Sequence, residues 1–457
     1  MSVRLVAQLL GFLAVSPAFA GAPLPLPLND SGLEICYDDS APISCFTTDS
    51  YTRQDARFGR DAAAAHGALP KVGAGSAGFD FTKIANDGSD LPPDAALGDA
   101  PGDWACTRDN FTGLVWEVKT DDGGLRDKDW LYTWYYADPS DNGGDPGILG
   151  GDTCGGTLGT ECNSDAYAAA VNGIALCGFD NWRLPVGDEL VGLVHYGIVA
   201  KPGAGTPATI DGDYFPNTLT DAAWYWTADA LAQKLFPIFS WFVAFNDGAA
   251  NYAGKDIASA VRLVRDSRNP ARTPFALAAT QGPPDCQWNP QIHPSTLGAF
   301  TINADGTATD LRTGLTWDRC VLGQDHANQC NGQGDPYNWQ QALAVAVTLN
   351  AENYLGHDDW RLPNMKELRS IVERSCVEPG LDRNIFLNAP GSPATLTSST
   401  YPAFPQVAWT VGFDSGGYVA SFGKGLNHRV RLVRGGDGFA TYDADVVFAD
   451  GFDGATP

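Results

Sequence analysis

Positive charge is scarce in this 457-residue chain: 29 Lys and Arg stand against 54 Asp and Glu, a formal net charge of −25. So acidic a protein is a poor nucleic-acid partner, because phosphate backbones demand clustered Lys and Arg. Polyanionic glycans are disfavoured as well, unless a local basic patch or a bound cation reverses the field. Beyond the first twenty residues no stretch approaches the ~18 uninterrupted apolar residues of a membrane-spanning helix. There is no Cys-x-x-Cys pair, so the usual zinc-ligand spacing is missing. His195, His357 and His428 have no Ser or Cys at a suggestive distance, which leaves no nucleophile–base pair. They are expected to be surface or capping residues, and the chain to be non-catalytic.

What is present is aromatic and disulfide-forming. Thirteen Trp, 22 Phe and 15 Tyr supply core material, while 52 Gly and 30 Pro imply many turns. The length accommodates two or three domains of ~100–200 residues. Residues 1–20 have the form of a secretory signal: Arg4, the short apolar core "LVAQLLGFLAV" and the small-x-small site Ala18-Phe19-Ala20. This places the mature chain outside the cytoplasm, secreted or in the cell envelope, where ten cysteines are at home. Local spacing pairs Cys36 with Cys45, Cys154 with Cys162 and Cys320 with Cys330; Cys106 with Cys177 and Cys286 with Cys376 remain by elimination, though spacing alone leaves other connectivities open.

The strongest signal is internal repetition. "RDNFTGLVWE" (108–117) matches "TDLRTGLTWD" (309–318), and "DNWRLPVGDEL" (180–190) matches "DDWRLPNMKEL" (358–368). "AAWYWTAD" (222–229) is paired with "QVAWTVGFD" (406–414), and each copy closes on Val-Arg-Leu-Val-Arg, at 261–265 and 430–434. Trp116 to Trp182 spans 66 residues and Trp317 to Trp360 only 43, a surplus that falls on the loop around "DPSDNGGDPGILGGDTCGGTLG". Under the same pairing Trp226 to Arg265 is 39 residues against 25 for Trp409 to Arg434, which implies a second loop insertion. The resulting division is a signal at 1–20, a Gly/Pro/Asp-rich lead-in with a disulfide hairpin at 21–100, a first domain at 101–267, a linker at 268–285, a second domain at 286–436 and a tail at 437–457.

The repeated Trp-Arg-Leu-Pro has a physical explanation. Pro185 and Pro363 force Leu184 and Leu362 into extended geometry, so the motif ends outside any helix. In the second copy Asn364 caps the next helix and Glu367, three residues on, completes a capping box; in the first, Val186 replaces Asn364 and that start should be weaker by about 1 kcal/mol. Trp182, Leu184, Trp360 and Leu362 are expected in the core, ahead of the helices that carry Glu189 and Glu367. Arg183 and Arg361, held between large apolar groups, need fixed acceptors, because a buried guanidinium must be paired. The elbow is therefore structural; a ligand-gripping Arg is the alternative. Upstream of the helices, "NADGTATD" (303–310) is a hairpin signal, and "NWQQALAVAVTLN" opens with Asn338 as cap and Gln341 at the third position.

This set of motifs resembles the Lcl C-terminal domain family, over about 101–266 and 286–435, with a lead-in ("LNDSGLEICYDDSAPISC", "RQDARFG") similar to segments that precede the domain in secreted bacterial proteins. The resemblance implies an α+β, C-type-lectin-like fold: two tandem, loop-rich, disulfide-bonded domains, each with two main helices beside small twisted antiparallel sheets. It implies surface adhesion or ligand binding, including sulfated glycans in the member that names the family. Arg-Leu-Pro before a Glu-bearing helix also resembles the formylglycine-generating-enzyme branch of that superfold. The pair of late active-site cysteines used there has no counterpart in either copy.

Two candidate sites remain. "DPSDNGGDPGILGGD" offers Asp138, Asp141, Asn142, Asp145 and Asp152 as hard oxygen ligands, which makes calcium the one cofactor to consider. The Asp-x-Asp-x-Asp-Gly register of an EF-hand is absent, and a solvated acidic loop is the alternative. The runs "WLYTWYY" (130–136), "WYW" (224–226) and "FSWFVAF" (239–245) are dense in aromatics, of which alternation sends half inward. Tyr132, Tyr135 and Tyr225 are expected to include exposed members that stack on sugar rings or anchor a protein. The partner is thus an extracellular glycan or protein, the third option being a purely structural envelope component.

Overall fold

The computed structural model describes residues 27–45, 51–200, 205–221, 223–266, 286–296, 298–390 and 393–435. The signal, the linker and the tail lie outside these residues.

The lead-in begins with a two-stranded hairpin, β1 (Cys36–Tyr37) and β2 (Pro42–Ile43), closed by the Cys36–Cys45 disulfide. A short helix follows, α1 (Gly59–Ala65). The first unit then lays down β3 (Phe81–Ala85), β4 (Asp90–Leu91), β5 (Trp104–Asp109) and β6 (Leu114–Glu117), which with β10 (Val264–Asp266) form one antiparallel sheet in the order β10-β6-β5-β3-β4. Phe81–Ala85 pairs along β5, so a boundary at residue 101 would cut this sheet in two; the lead-in is continuous with the first unit. Between β6 and β10 run α2 (Ser164–Gly173), α3 (Gly187–Gly192) and the meander β7 (Tyr225–Ala230), β8 (Phe239–Val243), β9 (Ala250–Gly254).

The second unit repeats the plan. After β11 (Gln287–Trp288) come β12 (Phe300–Ile302), β13 (Thr307–Asp310) and β14 (Leu315–Asp318), then α4 (Trp339–Ala351) and α5 (Met365–Ser370). β15 (Cys376–Val377) pairs with β11, and the meander β16 (Thr395–Thr400), β17 (Val407–Gly412), β18 (Tyr418–Gly423) leads to β19 (Val433–Gly435), which closes the order β12-β13-β14-β19. The two meanders join through their third strands at Val419 and Ala250, giving one six-stranded sheet, β16-β17-β18-β9-β8-β7, that runs across both units. Strands and helices are thus mixed in small antiparallel sheets, and the ten cysteines form the five disulfides that spacing and elimination put forward. Among the described residues no helix is long and apolar enough to cross a membrane.

The repeated motifs occupy matching places. In Asp-x-x-Thr-Gly-Leu-x-Trp the aspartate closes a tight turn: Asp109 Oδ1 accepts from the Phe111 and Thr112 amides, and Asp310 Oδ1 from the Arg312 amide. Gly113 and Gly314 sit at φ 75° and 71°, a region closed to most side chains, which is why both turns carry glycine. Trp116 and Trp317 are fully buried on the strands that follow.

The meanders correct one alignment. Thr227 and Thr397 each donate through Oγ1 to a tryptophan carbonyl, of Trp241 and Trp409, and each accepts at its own carbonyl from an indole N–H, of Trp134 and Trp339. The partner of "QVAWTVGFD" is therefore "FSWFVAFND" on β8, one strand later than residues 222–229. Trp241 lies 24 residues before Arg265 and Trp409 lies 25 before Arg434, so the second insertion disappears.

Candidate functional site

The elbow is the pivot of each unit. Trp182 and Trp360 are clamped through their backbone by helix asparagines: Asn172 and Asn350 each accept from the tryptophan amide and donate to its carbonyl, at 2.7 to 3.0 Å. Arg183 and Arg361 pair backbone to backbone with Val264 and Val433 of the closing strands. Their guanidinium groups donate two-pronged to Glu189 (2.8 Å twice) and Glu367 (2.6 Å twice). The Pro185 and Pro363 carbonyls accept from Ala228 and Ser398 of the first meander strands. Trp182, Leu184, Trp360 and Leu362 are buried, as the spacing requires. The arginines are thus scaffold, and the acceptors they need are the glutamates six residues on.

The caps also follow the sequence. Asn364 accepts from the Glu367 amide at 2.9 Å and Glu367 accepts from the Asn364 amide at 2.8 Å. In the first unit only the return bond exists, Glu189 accepting from the Val186 amide at 3.0 Å, and the Val186 side chain is buried in the core instead.

The aromatic expectation needs correction at two of three positions. Tyr132 is fully buried, its ring 4.5 Å from that of Tyr167, and Tyr225 is buried with its hydroxyl accepting from the Leu219 amide. Residues 132–135 run as isolated bridges rather than a regular strand, so simple alternation fails there. Tyr135 is half-buried and, with Tyr136, Asp165, Ala168, Ala169, Asn172, Trp182, Arg183, Leu184 and Ala228, lines a cleft of about 290 Å³ beside the first elbow. The Tyr135 hydroxyl and the Asp165 carboxylate have no partner among the described residues. Burial pushes the Asp165 carboxyl above its usual range, and burial together with Asp141, Asp138 and Asp165 pushes Tyr136 up to about 12.

Asp138, Asp141, Asp145 and Asp152 do not come together as a group of three or more carboxylates among the described residues. Asp138 accepts from Ser140, both oxygens of Asp141 go to His293, and Asp145 accepts from the Gly147 amide. Asp152 is exposed and apart. The loop instead presents carbonyls to the chain's own cation: Lys255 Nζ donates to the Asn142 and Asp145 carbonyls while lying 4.4 Å from the Trp134 ring centre. Carboxylates that do gather, at Asp121, Asp127 and Asp129, hold Lys128 between Asp121 and Asp129. Asp318, Cys320 and His326 also gather, with Cys320 committed to its disulfide.

The histidines differ from expectation. His195 is buried against Phe79, its pKa pushed down to about 4 by burial and by Lys366, and His428 is buried too. Of these three only His357 stays partly exposed, as expected, bound to Asp305 at 3.1 Å.

Sequence reading also missed a pair of matched elements. Lys424 repeats Lys255: it lies 3.9 Å from the Trp339 ring centre and donates to the Tyr37 and Asp38 carbonyls of the lead-in hairpin. Asp211-x-x-x-Phe215-x-Asn217 and Asp382-x-x-x-Phe386-x-Asn388 are a further repeat, visible in the sequence once aligned, whose phenylalanines lie under Arg262 and Arg431. Those arginines, from Val-Arg-Leu-Val-Arg, donate to the Glu117 and Asp318 carbonyls.

The model of the Lcl C-terminal domain family matches residues 105–265 and 306–434. A search of curated proteins gives no match.

Proposed function

The chain belongs to the Lcl C-terminal domain family, and from that premise we propose a secreted or envelope-surface, non-catalytic adhesion protein that binds a neutral glycan in the cleft beside Arg183. Two helices beside small antiparallel sheets in each unit support a C-type-lectin-like reading of the fold. Five disulfides, with no membrane-crossing helix among the described residues, support an extracytoplasmic location. All ten cysteines are paired, which weighs against an enzyme built on free active-site thiols.

One observation carries the ligand class: the cleft has an aromatic and alanine-lined wall, an unpaired hydroxyl on Tyr135 and an unpaired carboxylate on Asp165, while its one cation is already neutralised by Glu189. A saccharide offers an apolar ring face to the first and hydroxyls to the second. Sulfate or carboxylate sugars would meet Asp165 with no free cation to balance it. The test is an array of neutral and anionic glycans probed with wild type and with Tyr135→Ala. Binding to neutral glycans that the substitution removes supports the reading; binding confined to sulfated glycans, or unaffected by it, overturns it.

A protein ligand is the second reading, favoured by Leu235, Phe236 and Ile238, which are 85%, 51% and 51% exposed on the β7–β8 connection. Loss of binding to an extracellular protein panel in Leu235→Ser/Phe236→Ser would support it.

A further inference from the structure

Among the described residues Arg383 is the one arginine with neither a hydrogen bond nor an ion pair. Its Nε is shut off from water and meets no acceptor, a costly state for a charged donor. The neighbouring Asp382 does not relieve it: that carboxylate is buried and accepts from the Asn384 amide at 2.8 Å. The fold does not ask for this cation either. Aligned on the Asp-x-x-x-Phe-x-Asn repeat, Arg383 stands where the first unit has Gly212.

Arg383 lines a cleft of about 290 Å³ with Asn331, Gly332, Gln333, Asn388, Ala389 and Pro390. Both walls are fastened without its help. Gln324 Nε2 donates to the Gly332 carbonyl at 2.9 Å and to the Asn388 carbonyl at 3.1 Å, which ties one wall to the other. Asn388 Nδ2 donates to the Gln329 carbonyl, next to the Cys320–Cys330 disulfide that closes that loop. Arg319 holds the opposite wall, donating to the Asn384 and Ile385 carbonyls at 2.9 Å each. The carboxamides of Asn331 and Gln333 are exposed and have no partner among the described residues. The cleft therefore holds one fixed, unbalanced positive charge among free amide groups.

A guanidinium offers parallel N–H donors at the spacing of the two oxygens of a carboxylate. One unbalanced cation matches one negative charge, and the net charge of −25 works against anions of higher charge. The free carboxamides can donate to, or accept from, a hydroxyl or amino group beside that carboxylate. We infer that this cleft is a second binding site, for a small polar monocarboxylate, gripped by Arg383 and distinguished from its unsubstituted analogues by Asn331 and Gln333. It lies on the second unit and shares no residue with the cleft beside Arg183, so neither proposal depends on the other.

The experiment titrates glycolate, acetate, sulfate and chloride, at matched ionic strength, into the nitrogen-labelled full chain. The Arg383 Nε–H signal, identified by its loss in Arg383→Lys, and the Gly332 amide are followed by NMR. Both are expected to shift saturably with glycolate, more weakly with acetate and without saturation in chloride. Arg383→Gln, at a half-buried position without a partner, should melt as wild type does and bind glycolate at least about tenfold more weakly, read at Gly332. Asn331→Ala/Gln333→Ala should abolish the preference for glycolate over acetate. No saturable shift with glycolate overturns the inference, as does equal saturation by chloride, which would mark an adventitious ion only. Tighter binding of sulfate than of glycolate, or a preference untouched by the double substitution, overturns it too.

Discussion

Arg361 and Glu367 meet through two parallel hydrogen bonds of 2.6 Å in a site where the glutamate side chain is fully buried. Glu367 also caps α5 through the Asn364 amide, so one carboxylate holds both the elbow and the helix that follows it. Removing one partner of such a pair leaves a buried charge unmatched, at a cost of about 3–5 kcal/mol. Glu367→Gln is expected to lower urea stability by that order. Glu189→Gln, whose partner Arg183 is partly solvated, should cost less. Equal losses in the two variants would contradict the ranking.

The paired lysines predict local effects. Lys424→Met keeps the apolar contact with Trp339 and removes the bonds to the Tyr37 and Asp38 carbonyls, so amide exchange should quicken in residues 36–43 while residues 138–147 are unchanged. Lys255→Met should do the reverse. Exchange mass spectrometry reads both, and faster exchange in both segments with either variant would contradict the assignment.

A pH dependence follows from the carboxylates that seat the lead-in. Burial raises Asp30 to about 6 and Asp55 to about 7, Asp55 with a further push from Asp30, and lifts Asp61 well above its usual range. The groups facing them are Lys366, lowered to about 8 by burial, and the Arg361–Glu367 pair. A folded pKa above the unfolded one gives stability that is complete below about pH 4 and lost as pH rises through 6 to 7. The depressed His195 works in the opposite sense, its cost being relieved as pH rises from about 4 to 6.5, so the comparison must be between variants. Asp55→Asn should gain on wild type by about 1–2 °C in Tm between pH 5 and pH 8, on the order expected for ~1 kcal/mol in a chain of this size. A constant gap across that range would contradict the assignment.

Calcium is expected to leave the melt unchanged. The carboxylates of Asp138, Asp141 and Asp145 are engaged with Ser140, His293 and Gly147, and Lys255 takes the loop carbonyls. A rise in Tm at millimolar calcium would show that the loop rearranges around the ion.

Much of this architecture was legible in order and spacing. Proline fixes the elbow's end, Asn364 with Glu367 writes a capping box, and a guanidinium between large apolar groups announces a buried acceptor. The meander was misaligned because the cue was a shared Trp-Thr pair, whereas the equivalence lies in which carbonyl each threonine and each indole meets. The 21–100 segment looked like a preamble because its Gly, Pro and Asp content reads as loop, yet Phe81–Ala85 completes a sheet and Asp30 and Asp55 reach residues 364 and 399. Contacts so distant in sequence leave no periodic trace. Tyr132 looked available because alternation was applied to a stretch that is not a strand, and Tyr225 because β7, buried on both faces, was read as having an open one.

The most direct measurement is calorimetric titration of neutral oligosaccharides into wild type and into a Tyr135→Ala/Asp165→Asn variant. Saturable binding at one site per chain, weakened at least about tenfold, or 1.4 kcal/mol, by the two substitutions, is the predicted result. Binding of equal strength in a folded variant would place the ligand elsewhere on the molecule and contradict the account.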